Sequence, residues 1–210
     1  GPEIIARACH ALSGRIAAGS LRLLVIGDVA ALRKGEALVG TPAIPETTLE
    51  AAWPNLACLQ AGPAGDEIVT GAIGAAGGRM AYLAIETGVT LAVAGRISGL
   101  VTAPLNKEAL NLAGYHYAGH TEMLAELTGV KGSVMMLAHG NMNVSHVTTH
   151  VALEDVPKRV TPERIRRVID LTHEALKRLG KARPRIAIAA LNPHAGEGGL
   201  FGRQDIDVSA

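Results

Sequence analysis

The chain has 210 residues, of which 48% are hydrophobic and 19% are charged, and its formal net charge is +1. This balance predicts a globular protein with a buried core, and it argues against disorder and against a nucleic-acid or anionic-membrane surface as the main partner. No stretch reaches the roughly 18 apolar residues of a membrane span, and no signal peptide is recognisable, so we expect a cytoplasmic protein. The spacing of Cys9 and Cys58 is not that of metal ligands, which predicts two inert thiols.

In the first half of the chain, apolar periodicity predicts helices that alternate with short strands. The predicted elements are a helix over 3–12, a strand over 21–26, one or two short strands within 36–66, a helix over 71–88, and strands over 90–94 and 99–102. The strand over 21–26 ends at Gly27-Asp28, where a loop is expected.

The second half continues the alternation and adds a hairpin. The predicted elements are helices over 107–112 and 120–127, strands over 133–138 and 143–149 joined at 139–141, a helix over 161–179, a strand over 185–191 and the start of a helix at 204–208. The helix over 161–179 has the clearest signals, because Thr161 can cap it, Pro162 suits its first position and Gly180 ends it.

This order of elements favours an α/β protein in which helices cover both faces of a sheet and the hairpin makes the sheet mixed. The chain shows no internal repeat and no linker, so we expect residues 1–210 to form one domain. Periodicity alone does not distinguish this arrangement from a Rossmann domain. No G-x-G-x-x-G motif follows a strand, however, so a dinucleotide would be bound in another way.

The segment Leu191–Gly199 reads L-N-P-H-A-G-E-G-G and follows the predicted strand directly. It places His194 and Glu197 at the carboxyl end of a strand, where α/β proteins bind ligands, and its glycines allow a ligand to approach the backbone. Taken alone, the same pattern also describes an ordinary turn from a strand into a helix.

Three further segments carry polar side chains at the ends of predicted elements. They are V-T-A-P-L-N-K over 101–107, G-H-T-E over 119–122 and V-T-T-H over 147–150. Together with N-P-H-A-G-E-G-G, and in this order, they resemble the 4-hydroxythreonine-4-phosphate dehydrogenase family, which includes related 4-phosphoerythronate and 4-phosphothreonate dehydrogenases. The resemblance spans nearly the whole chain.

The resemblance implies an α/β/α sandwich of the isocitrate/isopropylmalate dehydrogenase-like type, with a mixed sheet and two subdomains around a cleft. It also implies a homodimer with the active site at the interface between subunits. The family's chain continues beyond this point, so we expect the sequence to be truncated at its C-terminus.

His150 and His194 are the candidate metal ligands, because imidazole nitrogens bind Zn²⁺, Co²⁺ and similar ions. From the residues alone, an ordinary hydrogen-bonded side chain is the more common role for each histidine. In the family, T-T-H and N-P-H hold two of three metal-binding histidines, and the third lies in a later segment that this chain lacks. His146 is the alternative ligand, and Asn192 and Glu197 are candidates to orient His194.

His120 and Thr121 match the family's substrate-contacting pair. A hydroxyl, an imidazole and the free N–H groups of a helix start also form an anion site by their own chemistry. Lys107, near another helix start, is a third candidate for binding the substrate. The interpretation without a ligand is a capping Thr beside an incidental His. The sequence identifies no catalytic base, and no residue is assigned to the cofactor.

The resemblance implies that NAD, or NADP, and a divalent metal ion (Zn, Mg or Co) serve the oxidation and decarboxylation of a small phosphorylated hydroxy acid. The main hypothesis is 4-phosphohydroxythreonine in pyridoxal phosphate biosynthesis. The alternative within the family is 4-phosphoerythronate or 4-phosphothreonate in acid-sugar catabolism. An alternative of another class is a non-catalytic fragment that binds a phosphorylated ligand.

Overall fold

The computed structural model describes residues 1–64, 68–69 and 71–209. It divides the chain into two compact units, Gly1–Val130 and Lys131–Ala210, which we call unit 1 and unit 2. Within the described ranges, no helix is both long enough and apolar enough to cross a membrane.

Unit 1 contains a three-stranded parallel sheet with the strand order β1-β3-β2. Its strands are β1 (Leu23–Gly27), β2 (Glu46–Thr47) and β3 (Leu56–Gln60). The register pairs Leu23 of β1 with Leu56 of β3. Ala57 and Cys58 of the central strand are completely buried, as expected for a parallel sheet that is covered on both faces.

Two helices precede the first strand and one follows it, and the first and third of these helices pack against each other. They are α1 (Pro2–Ala11), α2 (Ser13–Ala17) and α3 (Val29–Val39). Helix α3 begins after Asp28, whose carboxylate accepts a hydrogen bond from the Ala31 N–H at 2.6 Å. Cys9 and Cys58 are free thiols in the core cluster beneath this sheet, and burial raises the pKa of both, which agrees with their predicted inertness.

The second half of unit 1 is helical and packs around one long helix. Its helices are α4 (Ala75–Val93), α5 (Lys107–Leu112) and α6 (His120–Thr128). Ile85, Leu110 and Met123, one from each helix, form a buried apolar cluster. Helix α5 begins after Asn106, whose side chain accepts from the Ala109 N–H at 2.9 Å. This cluster therefore fixes the starts of α5 and α6 relative to α4.

Unit 2 consists of a hairpin, three helices and two short 3₁₀ segments. The elements are β4 (Met136–His139), β5 (Met142–Ser145), a 3₁₀ segment Leu153–Asp155, α7 (Val156–Arg159), α8 (Pro162–Arg178), a 3₁₀ segment Pro193–Gly199 and α9 (Gln204–Asp207). Helix α8 buries Ile165, Val168 and Leu176 on one side. The Thr172 hydroxyl donates a hydrogen bond to the Ser145 hydroxyl at 2.7 Å, which joins α8 to the hairpin.

Most predicted elements are confirmed, including the hairpin, the helix starts at Lys107 and His120, and the Thr161 cap, which accepts from the Arg164 N–H at 3.2 Å. Parallel and antiparallel pairing both occur, in two separate sheets. An α/β fold is thereby confirmed. Helix α3 was not predicted, although the Asp28 cap signals its start.

Three strand predictions are wrong. Residues 90–94 continue helix α4 to Val93, because a short apolar run fits a buried helix as well as a strand. Residues 99–102 and 185–191 carry no strand assignment. A strand needs a neighbouring ladder, and no described residue supplies one to 185–191, where Ile186 and Ile188 are 36% and 45% exposed.

The packing of α4 on α5 gives a test with two adjacent glycines. A Cβ at Gly78 would overlap the backbone carbonyl of Ala109, whereas a Cβ at Gly77 would meet only the Ile68 Cγ2 atom at 4.0 Å. We expect Gly78→Ala to lower the free energy of unfolding by about 1–3 kcal/mol. Gly77→Ala should instead raise it by up to about 1 kcal/mol, because alanine is the better helix former.

Urea unfolding followed by circular dichroism measures both variants. Equal effects of the two substitutions would show that α4 and α5 are not in contact at Gly78.

Candidate functional site

The described residues include four non-glycine residues with left-handed backbone, and all four lie in the two segments predicted to bind metal. They are His150 (φ 56°), His194 (φ 54°), Ala195 (φ 52°) and Glu197 (φ 43°). Left-handed backbone costs a non-glycine residue on the order of 1 kcal/mol or more, and such strain concentrates at functional sites. The backbone thus selects the same two segments as the motifs do.

The His194 segment is a left-handed turn within residues 193–199. Its internal bonds include Ala195 N–H to the Asn192 carbonyl at 3.2 Å and Phe201 N–H to the Gly196 carbonyl at 3.2 Å. Gly196 is buried, and a Cβ there would overlap the Gly202 carbonyl. A glycine is therefore required for the chain to close on itself at this point.

The base of this turn is held by Asp205 of α9. Its carboxylate accepts hydrogen bonds from the backbone N–H of Leu191 at 2.7 Å and from that of Asn192 at 2.9 Å. These bonds lower the pKa of Asp205. The Asn192 side-chain amide nitrogen donates to Asp205 and to Gln204 of α9, and a role of Asn192 in orienting the His194 ring stays a prediction.

The His150 segment follows strand β5 and is held by Arg164 in the first turn of α8. The Arg164 guanidinium donates to the carbonyl of Val147 at 2.8 Å and to that of Ser133 at 3.2 Å. His146, the alternative ligand, is half-buried, and its Nδ1 lies 3.4 Å from the Met135 carbonyl. One nitrogen of His146 is thus engaged by the backbone before the hairpin.

The imidazoles of His150 and His194 are exposed, and within the described ranges neither makes a hydrogen bond or an ion pair. The His194 ring lies near Phe201, with 6.4 Å between centroids. Free imidazole nitrogens on a constrained backbone fit the donor chemistry of a divalent transition metal. Among the residues that the structure describes, no group of three His, Cys, Asp or Glu side chains completes such a site.

The His120 and Thr121 candidates open helix α6 in unit 1. His120 is half-buried, and its Nε2 atom is buried without a hydrogen-bond partner in the described part of the chain. Thr121 is exposed, and the Glu122 carboxylate folds back to accept from the Ala118 N–H at 2.9 Å. Because the first N–H groups of a helix lack internal partners, this start can bind an anion.

Three tyrosines, all that the chain contains, pack beside the segment that leads to His120. The rings of Tyr82 and Tyr115 stack with centroids 3.7 Å apart, and Tyr117 lies 6.3 Å from Tyr82. The Tyr82 hydroxyl donates to Glu86 at 3.0 Å, and burial followed by this bond raises the pKa of Tyr82 to about 12. The stack connects α4 to the residues just before α6.

Lys107 is exposed at the first position of α5. The preceding residue, Asn106, lines a cavity of about 340 Å³ formed with the start of α4, including Gly74 and Gly78. Lys107, His120 and Thr121 belong to unit 1, and His150 and His194 belong to unit 2. The candidate substrate-binding residues and the candidate metal ligands are therefore each held by the elements of their own unit.

Sequence reasoning missed Asp205 and Arg164 as residues that hold these segments. Asp205 lies in the predicted helix start at 204–208, and its local pattern indicates only an acid in the first turn of a helix, which it also is. The only signal that Asp205 holds this turn is its position after the glycine-rich segment. Periodicity describes neighbours within one element, so it does not reveal a hydrogen bond between Asp205 and a different segment.

The fold defines the chain as an α/β protein of a structural class that contains solved dehydrogenases. A crystal structure of a 4-hydroxythreonine-4-phosphate dehydrogenase from Burkholderia phymatum matches with a TM-score of 0.82 at 37% identity, covering 99% of this chain and 64% of that one. The family model of the pyridoxal phosphate biosynthetic protein PdxA matches residues 20–210. The chain belongs to this family, which confirms the resemblance inferred from the four motifs.

Two curated relatives carry different substrate names. A protein of Bradyrhizobium diazoefficiens, provisionally named D-threonate 4-phosphate dehydrogenase, is 69% identical over 212 residues, which cover 100% of this chain and 61% of that protein. A 4-hydroxythreonine-4-phosphate dehydrogenase of Geobacter metallireducens is 40% identical over 216 residues, which cover 100% of this chain and 63% of that protein. The chain spans about three fifths of the length of these relatives.

The tyrosine stack predicts an alkaline titration. Because the folded pKa of Tyr82 is raised from 10 to about 12, the stack stabilises the fold below pH 10, and this contribution is lost as the pH rises from 10 through 12. In the double variant Tyr115→Phe, Tyr117→Phe, Tyr82 is the only tyrosine. We expect its absorbance at 295 nm to change with a midpoint above pH 10, because burial and the bond to Glu86 remain, and we expect Glu86→Gln to lower that midpoint.

Circular dichroism at each pH shows whether the fold persists. A midpoint near pH 10 in the folded protein would contradict the stacked, hydrogen-bonded arrangement.

Proposed function

We propose that the chain serves the NAD-dependent oxidation and decarboxylation of a phosphorylated four-carbon hydroxy acid in the cytoplasm, with a divalent cation. The observation that carries the proposal is the coincidence of left-handed backbone with His150 and His194, the two histidines of the family's motifs. The family match and the dehydrogenase names of its relatives support the reaction class.

His150 and His194 would hold the cation, since their ring nitrogens are free and their backbone is constrained. A bound divalent cation such as Zn²⁺, Co²⁺ or Mg²⁺ lowers the pKa of a substrate alcohol and polarises the carbonyl formed from it, while NAD or NADP accepts the hydride. Two protein ligands leave coordination positions for substrate oxygens, and further ligands would come from elsewhere in the assembly.

The start of α6 would bind the substrate's anionic group. The buried Nε2 of His120 lacks a partner within the described ranges, and such an atom is costly unless a ligand or water bonds to it. The Thr121 hydroxyl and the N–H groups of the first turn add donors at the same helix end. Lys107, exposed at the start of α5, would add a positive charge for the phosphate.

D-threonate 4-phosphate is the substrate favoured by the relative at 69% identity. The relative at 40% identity and the family description favour 4-hydroxythreonine 4-phosphate in pyridoxal phosphate biosynthesis. The two compounds differ in a hydroxyl or an amino group beside the carboxylate, so one contact in the pocket is enough to separate them.

A homodimer is part of the proposal, and an exposed apolar face on the hairpin supports it. Leu137 pairs with Val144 across the two strands, and Met142 lies beside Val144 on the same face. These three side chains are 58%, 41% and 69% exposed, respectively. An apolar patch of this kind is typical of a surface that another subunit covers.

The first test is NADH formation by the purified protein with each of the two phosphorylated acids, with and without Co²⁺. We expect metal-dependent turnover, with the larger kcat/KM for D-threonate 4-phosphate. His194→Ala should lower the metal-dependent rate by a factor of about 100 or more, because a ligand is lost. His10→Ala, at an exposed position on α1, is the control and should keep the wild-type rate.

A protein that turns over neither compound, although folded, would refute the proposed reaction. It would favour the alternative of a non-catalytic protein that binds a phosphorylated ligand.

A second test addresses the anion site at α6. Thr121→Val should raise KM for the phosphorylated substrate about tenfold with little change in kcat, because one hydrogen bond to a charged group is lost. Thr121→Ser keeps the hydroxyl and should retain the wild-type KM. An unchanged KM in Thr121→Val would remove Thr121 from the binding site.

A further inference from the structure

The Asp205 carboxylate is buried, and both of its oxygens accept hydrogen bonds from the segment that begins the His194 turn. Asp205 is only 8% exposed. Its Oδ1 accepts from the Leu191 N–H, and its Oδ2 accepts from both the backbone N–H and the side-chain Nδ2 of Asn192, at 2.9 and 3.0 Å. A buried carboxylate without a cationic partner is retained only if several donors satisfy it, and here three do.

These bonds fix the start of the loop that carries His194. Residues 194–198 are all left-handed, so the bonds within the turn itself hold a conformation that its non-glycine residues disfavour. Leu191 and Asn192 lie just before the turn and α9 lies after it in the chain, so the bonds of Asp205 join the segments on both sides of the turn. Without this joint, the strained residues are free to relax to right-handed or extended backbone.

We propose that Asp205 is a positioning residue for His194: it fixes the left-handed turn through the backbone of Leu191 and Asn192 and so presents the imidazole to a divalent cation. The effect on the cation rests on the proposed function, in which His194 is a ligand. The effect on the turn stands on the hydrogen bonds alone. Asp205 does not contact the ring itself and acts only through the backbone.

Asp207, two residues further along α9, provides the matched control. It is exposed, and both its oxygens pair with the guanidinium of Arg203, at 2.9 and 2.8 Å, within the same helix. Asp207→Asn removes the same charge from the same short helix without touching Leu191 or Asn192. Any effect of lost charge or of fraying of α9 is therefore shared by the two variants, and the loss of the turn's anchor is not.

The experiment compares Asp205→Asn, Asp207→Asn and His194→Ala in the 210-residue chain. Nuclear magnetic resonance gives the Cα and Cβ shifts of His194, Ala195 and Glu197, which report left-handed backbone, and the exchange rates of the Leu191 and Asn192 amides. Absorption spectroscopy with Co²⁺ alone as the probe gives the affinity and the ligand-field spectrum of the site.

In Asp205→Asn we expect exchange of the two amides at least about tenfold faster, loss of the left-handed shifts, and Co²⁺ affinity lower by about 10- to 100-fold, the usual effect of losing a group that orients a ligand. Asp207→Asn should stay within about twofold of the wild type in all three measurements. Wild-type shifts and exchange rates in Asp205→Asn would overturn the proposal.

The same data separate this proposal from the proposed function. If His194→Ala leaves Co²⁺ affinity unchanged, His194 is not a ligand and the metal assignment fails, while the shifts and exchange rates still decide whether Asp205 holds the turn. If His194→Ala weakens Co²⁺ binding and Asp205→Asn does not, the positioning role is refuted.

Asn192→Ala is the second variant, in case Asp205→Asn unfolds unit 2. It removes one of the three donors to Asp205 and leaves both backbone bonds, so we expect a smaller change in the same direction in the shifts and in Co²⁺ affinity. The decisive measurement in that case is on the wild-type chain: exchange of the Leu191 and Asn192 amides at the rate of unprotected amides would overturn the proposal, because neither amide would then donate to Asp205.

Discussion

Hydrogen bonds between buried or half-buried charged side chains and the backbone of other segments are the constraint on which the loops of this protein depend. Glu36, paired with Arg33, accepts from the Ile44 N–H at 2.8 Å and fixes the approach to the sheet of unit 1. Asp205 and Arg164 do the same for the two histidine segments of unit 2. A buried charge is costly unless other groups satisfy it, and here Arg33 and the Ile44 N–H satisfy Glu36 while three N–H donors satisfy Asp205.

The elements that the sequence predicts well are those whose signals are local. Helix α8 has an apolar stripe, the Thr161 cap and a proline at its first position, and these three signals agree. The hairpin has a glycine in its turn and two short apolar strands. The polar motifs are likewise local, and His120 opens helix α6 as predicted, whereas His194 lies in a left-handed turn without the predicted strand before it.

What the sequence does not predict depends on partners elsewhere in the chain. The apolar run over 90–94 has the composition of a strand, yet it continues α4 to Val93, and Leu91 is the one buried residue of this run. The run over 185–191 lacks a neighbouring ladder among the described residues and is therefore not a strand. Asp205 has the local signature of an acid at a helix start, and only its bonds to Leu191 and Asn192 reveal the second role.

The difference between local signals and contacts elsewhere in the chain also explains why the reaction class is easier to infer than the substrate. In the proposed function, imidazoles on constrained backbone and an anion-binding helix start would serve the shared part of the chemistry, namely a phosphate, a carbon bearing an alcohol and a cation. The two relatives differ in name by the group beside the carboxylate, and the four motifs carry no feature specific to that group. In the proposed function, substrate choice would depend on the group beside the carboxylate, because one hydrogen bond to a hydroxyl or an amine is enough to favour one acid over the other.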